Sequence, residues 1–408
     1  METLTPRDEK DVVDIIGAAL ANGTPIDIEG GGSRRGLGRP AAAATIVSTS
    51  RLSGVALYEP CELVLSALAG TPLTVISELF DQHGQELAFE PINHAALFGA
   101  PAQAATIGGM IAVNASGPRR IRAGAARDHL LGFRAVSGRG EPFKSGGRVM
   151  KNVTGYDMSK LMAGSYGTLG VLMEVTVKVL PKPETEATVI AAGLNDAAAI
   201  RQMTRVSGLA LEVSSLAHLP AMPRWPVLSL GARLPTTPLT CFRLEGPRLP
   251  VTERCATLID QLRDATAAFA TLEAADSKAL WSAVRDVSAF FDPADTIWRI
   301  STSPAQGAAL VGALKSRALP LSGYFYDWAG GLIWLALSPK PEAHAREIRQ
   351  QVDKLGGHAT LIRADEVVRS TVPVFHPQPP PLAALSARVR RSFDPTLTLN
   401  RGRMREDL

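Results

Sequence analysis

Two stretches of this sequence consist of residue types that let backbone approach a ligand closely. The first follows Pro25-Ile26-Asp27-Ile28-Glu29, an alternating run that predicts a short strand, and reads Gly30, Gly31, Gly32, Ser33, Arg34, Arg35, Gly36, Leu37, Gly38. A glycine-rich turn directly after a strand can curl main-chain N–H groups around a diphosphate, and Ser33, Arg34 and Arg35 add a hydroxyl and two guanidinium groups. The second stretch, residues 100–170, is crowded with Gly, Ala, Ser, Thr and Asn. It contains Ala105, Thr106, Ile107, Gly108 and Gly109, then Asn114, Ala115, Ser116 and Gly117. Arg122, Gly124, Arg127 and Asp128 come next, and Gly164, Gly167, Thr168 and Gly170 close it. Small side chains let backbone approach a ligand closely and leave many main-chain N–H groups free to bind it.

The first loop taken alone fits a glycine-rich surface turn equally well, so its context decides. A Rossmann site needs the loop to open a helix, with an acidic residue about 20 positions on to take the ribose. Neither is present, because the next segment, near Thr45 to Thr49, is a second strand with no helical pattern before it. No Gly-Lys-Ser/Thr closes the loop, which excludes a P-loop. The three cysteines, Cys61, Cys241 and Cys255, stand far apart, so no disulfide framework, Cys-x-x-Cys metal site or haem attachment is expected. The formal net charge of +4, from 43 basic against 39 acidic residues, gives no footprint for nucleic acid.

The elements that must position these residues are legible around them. Of the 408 residues 46% are hydrophobic and 20% charged, which excludes disorder and predicts two or three domains. Thr5 and Pro6 predict a helix start, Val12, Val13, Ile15, Ile16 and Leu20 share one helical face, and Asn22-Gly23 stops it. Short strands are expected from Gly54 to Tyr58, Leu63 to Leu68 and Val171 to Leu180, with a helix from about Pro72 to His83 ended by Gly84. Pro181-Lys182-Pro183-Glu184 marks a boundary. The second half holds all five tryptophans, Trp225, Trp281, Trp298, Trp328 and Trp334, which predicts an ordinary core. A proline cluster from Pro373 to Pro381 then leads into a helix over about Leu382 to Phe393. The charged N-terminus and the lack of an uncharged apolar run of 18 residues predict a cytoplasmic protein that reaches a membrane only through partners.

Together, these motifs resemble the FAD-binding domain of the p-cresol methylhydroxylase and vanillyl-alcohol oxidase family, and within it the 2-hydroxy-acid dehydrogenase branch. The runs Val149-Met150-Lys151-Asn152-Val153 and Arg127-Asp128-His129-Leu130-Leu131-Gly132 resemble most closely the FAD-binding (E) subunits of bacterial glycolate oxidases. Thinner similarity in the second half rests on Leu280-Trp281, Trp298-Arg299, Trp328-Ala329-Gly330-Gly331, Gly356 to Thr360 and a closing segment with Asn400 and Gly402. There Arg401 stands in place of the family's proline.

The resemblance implies an α+β protein. Its two-lobed FAD-binding domain would span residues 1–181 and a cap with an antiparallel sheet residues 182–380. A C-terminal helix at 381–408 would return to the FAD domain. By carry-over, Gly30, Gly31, Gly32, Ser33 and Arg34 form the diphosphate loop. Ala105 to Gly109, with Asn114, Ser116 and Gly117, line the flavin and its ribityl chain, and Gly124, Arg127 and Asp128 lie near the diphosphate. Gly164, Gly167, Thr168 and Gly170 approach the adenine and ribose, and Asn400 completes the set. Ser33 and Arg34 occupy the place of a tethering histidine in some relatives, so noncovalent FAD is expected. Catalytic relatives carry paired histidines and an acid around a divalent metal. Here His344, His358 and His376 are isolated, and no metal site is expected. The implied function is that of the FAD-binding subunit of a complex oxidising glycolate to glyoxylate, with a catalytic FAD subunit and an iron–sulfur subunit as partners. Two alternatives are a self-sufficient dehydrogenase of another 2-hydroxy acid or alcohol, and a flavin subunit that only relays electrons or supports the assembly.

Overall fold

The computed structural model describes residues 2–40, 43–148, 155–221, 237–287 and 292–406. Residues 149–154, which include the run from Val149 to Val153, and Trp225 lie outside these. The described chain forms two compact units. One comprises Met1–Ser116, Gly124–Lys182 and Pro373–Leu408, and the other Gly117–Ala123 and Pro183–Val372.

The first unit opens with the strand Glu2–Leu4 and the helix Glu9–Asn22. Asp8, rather than Thr5, caps that helix by accepting from the Asp11 amide at 2.9 Å. Gly23, at φ 64°, ends it by returning its amide to Ala19 and Leu20. Three parallel strands follow in the spatial order Glu2–Leu4, Thr45–Ser48, Ile26–Glu29. The last of these lies at the sheet edge, and residues 398–400 cover it. The Ile26 amide donates to the Thr398 carbonyl at 2.8 Å, and the Asn400 amide returns a bond to Ile26 at 2.9 Å. This pairing satisfies an edge that would otherwise expose unpaired backbone.

A second, fully antiparallel sheet orders Val55–Glu59, Val64–Leu68, Val171–Lys178, Leu130–Val136 and Pro142–Gly146. Each sheet has its own apolar core. Val12, Ile16, Val47 and Leu399 belong to one, and Leu65, Phe80, Ile107, Met110 and Phe133 to the other. The C-terminal helix Pro380–Phe393 packs Val389 and Phe393 on the second core. Asp394 behind it is fully buried, accepting from the Thr398 and Leu399 amides at 2.9 and 2.8 Å.

The second unit is built on one antiparallel sheet of eight strands. Their order is Phe269–Glu273, Thr185–Ala192, Leu239–Gly246, Ser215–Leu219, Leu321–Asp327, Leu332–Leu337, Thr296–Ser301 and His358–Arg363. Trp281, Trp298, Trp328 and Trp334 are buried, as expected of core residues. A polar cluster interrupts this core at Asp196, whose carboxylate accepts from the Tyr324 and Tyr326 hydroxyls at 2.9 and 3.0 Å and lies 3.5 Å from both Lys315 Nζ and His218 Nε2. Among the described residues no helix is long and apolar enough to cross a membrane.

Burial works to raise the pKa of Asp196, but the His218 imidazole, the Tyr324 hydroxyl and the Lys315 ammonium outweigh it and hold the carboxyl at about 2. A depressed carboxylate stabilises the fold above its unfolded pKa, and that contribution disappears as pH falls through the folded one. The second unit is therefore expected to lose stability from about pH 4 down to about 2. Asp196→Asn should flatten that slope in denaturant titrations; an unchanged slope would place the acid sensitivity elsewhere.

Candidate cofactor site

The strand Ile26–Glu29 delivers the chain into the glycine loop, and the loop stays open because its carbonyls are held from outside. Thr49 Oγ1 donates to the Glu29 carbonyl at 3.2 Å and Ser48 Oγ to that of Gly30 at 2.9 Å. Among the described residues, the amides of Gly31, Gly32 and Ser33 donate to no protein acceptor. Gly32 sits at φ 78°, a left-handed turn between its two neighbours. Successive unpaired amides around such a turn form a concave anion site. This donor set fits a diphosphate, with Ser33, itself buried, adding a hydroxyl beside it.

The loop is packed against the second cluster. A Cβ at Gly30 would fall 2.2 Å from Thr106 Oγ1 and one at Gly31 2.3 Å from the Ala104 carbonyl oxygen, so only glycine permits this approach. The helix Ile107–Val113 begins there, with Thr106 capping Gly109 N at 3.2 Å. Its first amides are occupied: Ile107 donates to Thr71 O at 3.0 Å and Gly108 to Ala69 O at 2.8 Å. Ile107 and Gly108 therefore contribute shape, not donors, to any ligand, and the Ala105 carbonyl is taken by the Leu73 amide at 2.9 Å. The helix ends on Asn114 in the left-handed region, at φ 51°.

Several side chains expected to face a ligand instead bond to the chain. Asn114 Oδ1 accepts from the Arg127 amide at 3.0 Å and Ser116 Oγ from the Ala126 amide at 2.8 Å. Asp128 Oδ2 accepts from the Ala125 amide at 2.9 Å, closing the turn that leaves Gly124 at φ 89°. The Arg127 side chain lies 3.8 Å from Asp128 and is half exposed. These residues fix the course of the backbone and leave the amides of Ser116 and Gly117 without a protein acceptor among the described residues.

The stretch from Gly164 to Gly170 joins the same region. Gly164 donates to Ile111 O at 3.1 Å and Tyr166 to Ala112 O at 2.8 Å. Thr168 Oγ1 turns back to Ser165 O at 2.7 Å. Asn400 clasps this stretch to the first strand, accepting from Ile28 N at 2.7 Å and donating to Tyr166 O at 2.6 Å. A Cβ at Gly167 would lie 2.6 Å from Asn400 Nδ2, while Gly170 lies against Val136 O. Arg34 reaches the Ile92 carbonyl. Apart from Gly117, which belongs to the second unit, the expected site residues converge in the first.

Sequence reasoning assigned no role to Asp27 or Arg403. Arg403 Nη1 donates to the carbonyls of Arg35, Leu37 and Arg39 at 3.3, 3.4 and 3.4 Å, and the Arg403 carbonyl accepts from Arg39 N at 2.9 Å. Its Nη2 lies 3.8 Å from Asp27 Oδ2. Burial pushes the Asp27 carboxyl up against the pull of Arg403, and pushes the Arg403 guanidinium down. The available signal was a charged residue on the inward side of an alternating strand, which requires a counter-ion.

Gly31→Ala should force the loop away from Ala104 at a cost of about 1–3 kcal/mol, leaving the chain folded. FAD affinity should fall at least about tenfold, each such factor being ~1.4 kcal/mol. Isothermal titration with FAD measures it, and an unchanged affinity would mean that the diphosphate lies elsewhere.

The FAD binding domain family matches residues 3–146. Over 402 residues the chain is 32% identical to glycolate oxidase subunit GlcE of Escherichia coli K12, covering 96% of each chain. Glycolate oxidase subunit GlcD of Bacillus subtilis is 45% identical over 95 residues, 23% of this chain and 20% of its own. A solved structure of p-cresol methylhydroxylase with substrate bound superposes with a TM-score of 0.69 at 12% identity, covering 98% of this chain and 88% of that one, which shows the shared fold. The chain thus belongs to the GlcE family of glycolate oxidase subunits, FAD-linked oxidoreductases built on the p-cresol methylhydroxylase type of FAD-binding fold.

Proposed function

We propose that this chain is the FAD-binding subunit of a complex that oxidises glycolate to glyoxylate and delivers the electrons to an iron–sulfur subunit, with a second flavin subunit carrying the catalytic site. The observation that supports this most is similarity to a glycolate oxidase subunit along 96% of both chains. FAD, when bound, supplies a two-electron carrier. The chain's part is to hold it: Gly31, Gly32 and Ser33 amides on the diphosphate, the backbone from Thr106 to Gly109 and from Asn114 to Gly117 beside the ring and ribityl chain, and the Gly164 to Gly170 stretch near the adenine. Ser33 and Arg34 offer no imidazole for a covalent link, so the flavin is held noncovalently.

The histidines support an auxiliary role. His83 packs edge-on against Tyr58, and His129 against Phe89 with Nδ1 3.4 Å from the Lys178 carbonyl. His218 is enclosed beside Thr240 and Asp196, and His344 faces the Ser338 carbonyl. Among the described residues no three His, Cys, Asp or Glu side chains converge as metal ligands. Of two cap arginines that could anchor a carboxylate, Arg363 is held by the Asp292 and Asp295 carbonyls. Arg299 lies over the Trp328 ring at 5.0 Å and carries the rival reading of a self-sufficient dehydrogenase.

Glycolate-dependent dye reduction should be negligible for this chain alone and appear with the reconstituted complex. Turnover by the chain alone that Arg299→Met abolishes would establish the rival.

A further inference from the structure

The strand Ile26–Glu29 carries two carboxylates on one face, since Asp27 and Glu29 are two residues apart. Both precede a loop whose unpaired amides invite an anion, and a carboxylate is the wrong sign of charge for that neighbourhood. Each is met by its own guanidinium. Asp27 Oδ2 lies 3.8 Å from Arg403 Nη2. Glu29 takes both prongs of Arg35, Nε to Oε2 at 2.5 Å and Nη2 to Oε1 at 2.7 Å. Among the described residues Arg35 is the cation that pairs with Glu29. Arg34 reaches the Ile92 carbonyl instead, and Arg403 serves Asp27 and the carbonyls of Arg35, Leu37 and Arg39.

The Glu29–Arg35 pair sits against the turn of the loop. A Cβ built on Gly32 would lie 3.5 Å from Arg35 Nε and 3.7 and 3.8 Å from the two Glu29 carboxylate oxygens. Gly32 is the left-handed residue between the amides of Gly31 and Ser33, so an anion taken up by those amides comes into short Coulomb range of Glu29, where salt screens it only in part. As a stabilising contact the pair has little worth. The Arg35 side chain is 56% exposed, and ion pairs open to water contribute little to folding. Its hydrogen bonds to Glu29 push the Arg35 guanidinium pKa up, so the residue stays a full positive charge. What the pair does supply is local neutrality beside an anion site.

We propose that Arg35 acts on the cofactor through Glu29: its guanidinium neutralises the carboxylate beside the Gly32 turn and so keeps the Gly31 to Ser33 amides receptive to the diphosphate of FAD. The inference rests on the flavin site proposed above. By residue type alone Arg35 would be a direct partner of the diphosphate, but the two-pronged pair spends its donors on Glu29. The two roles are separable by chemistry. A lost direct bond cannot be recovered by changing Glu29, whereas lost screening is recovered once the carboxylate it screened is gone.

The test is a double-mutant cycle on the full chain, stripped of flavin and titrated with FAD at low and at high salt, with thermal midpoints measured alongside. Arg35→Gln should weaken FAD about fivefold at low salt, and the gap should close to about twofold at high salt because the repulsion it exposes is screened. Glu29→Gln alone should bind FAD at least as tightly as the parent. The double variant Glu29→Gln/Arg35→Gln should return to within about twofold of the parent, since neither charge is then left alone. Thermal midpoints should stay close to the parent's, as expected of an exposed pair. Arg35→Gln binding FAD as the parent does, or a double variant as weak as Arg35→Gln, would overturn the proposal; the latter would make Arg35 a direct ligand of the diphosphate. Gly31→Ala, run in the same series, separates the two levels of inference. If it weakens FAD while Arg35→Gln does not, the screening role alone falls, and if both bind FAD normally, the site reading falls with it.

Discussion

The Arg403 guanidinium is the point on which the rest of the site depends. A loop with three consecutive amides unpaired gains nothing from hydrogen bonding within itself and would collapse onto any nearby carbonyl. Arg403 counters this by engaging the carbonyls of Arg35, Leu37 and Arg39, three acceptors that follow the amides of Gly31, Gly32 and Ser33 in the chain. Asp27, buried on the preceding strand, supplies the countercharge. Such a pair is a weak source of stability, since two desolvated charges cost about what they return, but it specifies one loop conformation over others.

Arg403 lies near the end of the chain and the loop near its beginning. Closure therefore needs the C-terminal segment to run back along the first strand, and three side chains secure that return. Asp394 takes two amides, Arg390 donates to the Leu399 carbonyl at 2.7 Å, and Asn400 joins Ile28 to Tyr166. Arg401, in place of the family's proline, adapts by donating to the Leu397 and Thr396 carbonyls at 2.8 and 3.0 Å.

Much of the first unit was legible because its signals are local. The strand before the glycine loop, the missing helix after it and Gly23 as a helix stop all follow from short-range pattern and turn chemistry. The antiparallel sheet of the second unit was implied by family resemblance, not by its own periodicity, and its strand order depends on distant pairings such as Thr185–Ala192 with Leu239–Gly246. At the site, residue type identified which segments meet but not which atoms are free. Asn114, Ser116 and Asp128 have the chemistry of ligand contacts, yet their oxygens cap neighbouring amides. That distinction depends on a turn at Gly124 that no spacing rule encodes. Arg403 escaped notice because its partners are main-chain carbonyls more than 360 residues away.

The central claim is that the Gly31, Gly32 and Ser33 amides hold the diphosphate of FAD, and amide hydrogen exchange tests it at those atoms. Without flavin these three amides, lacking acceptors, should exchange rapidly. On saturation with FAD they should slow by at least about tenfold while amides in the second unit's sheet stay unchanged, since a new acceptor protects the donors it engages. Slow exchange already present without FAD, or no added protection with it, would contradict the account.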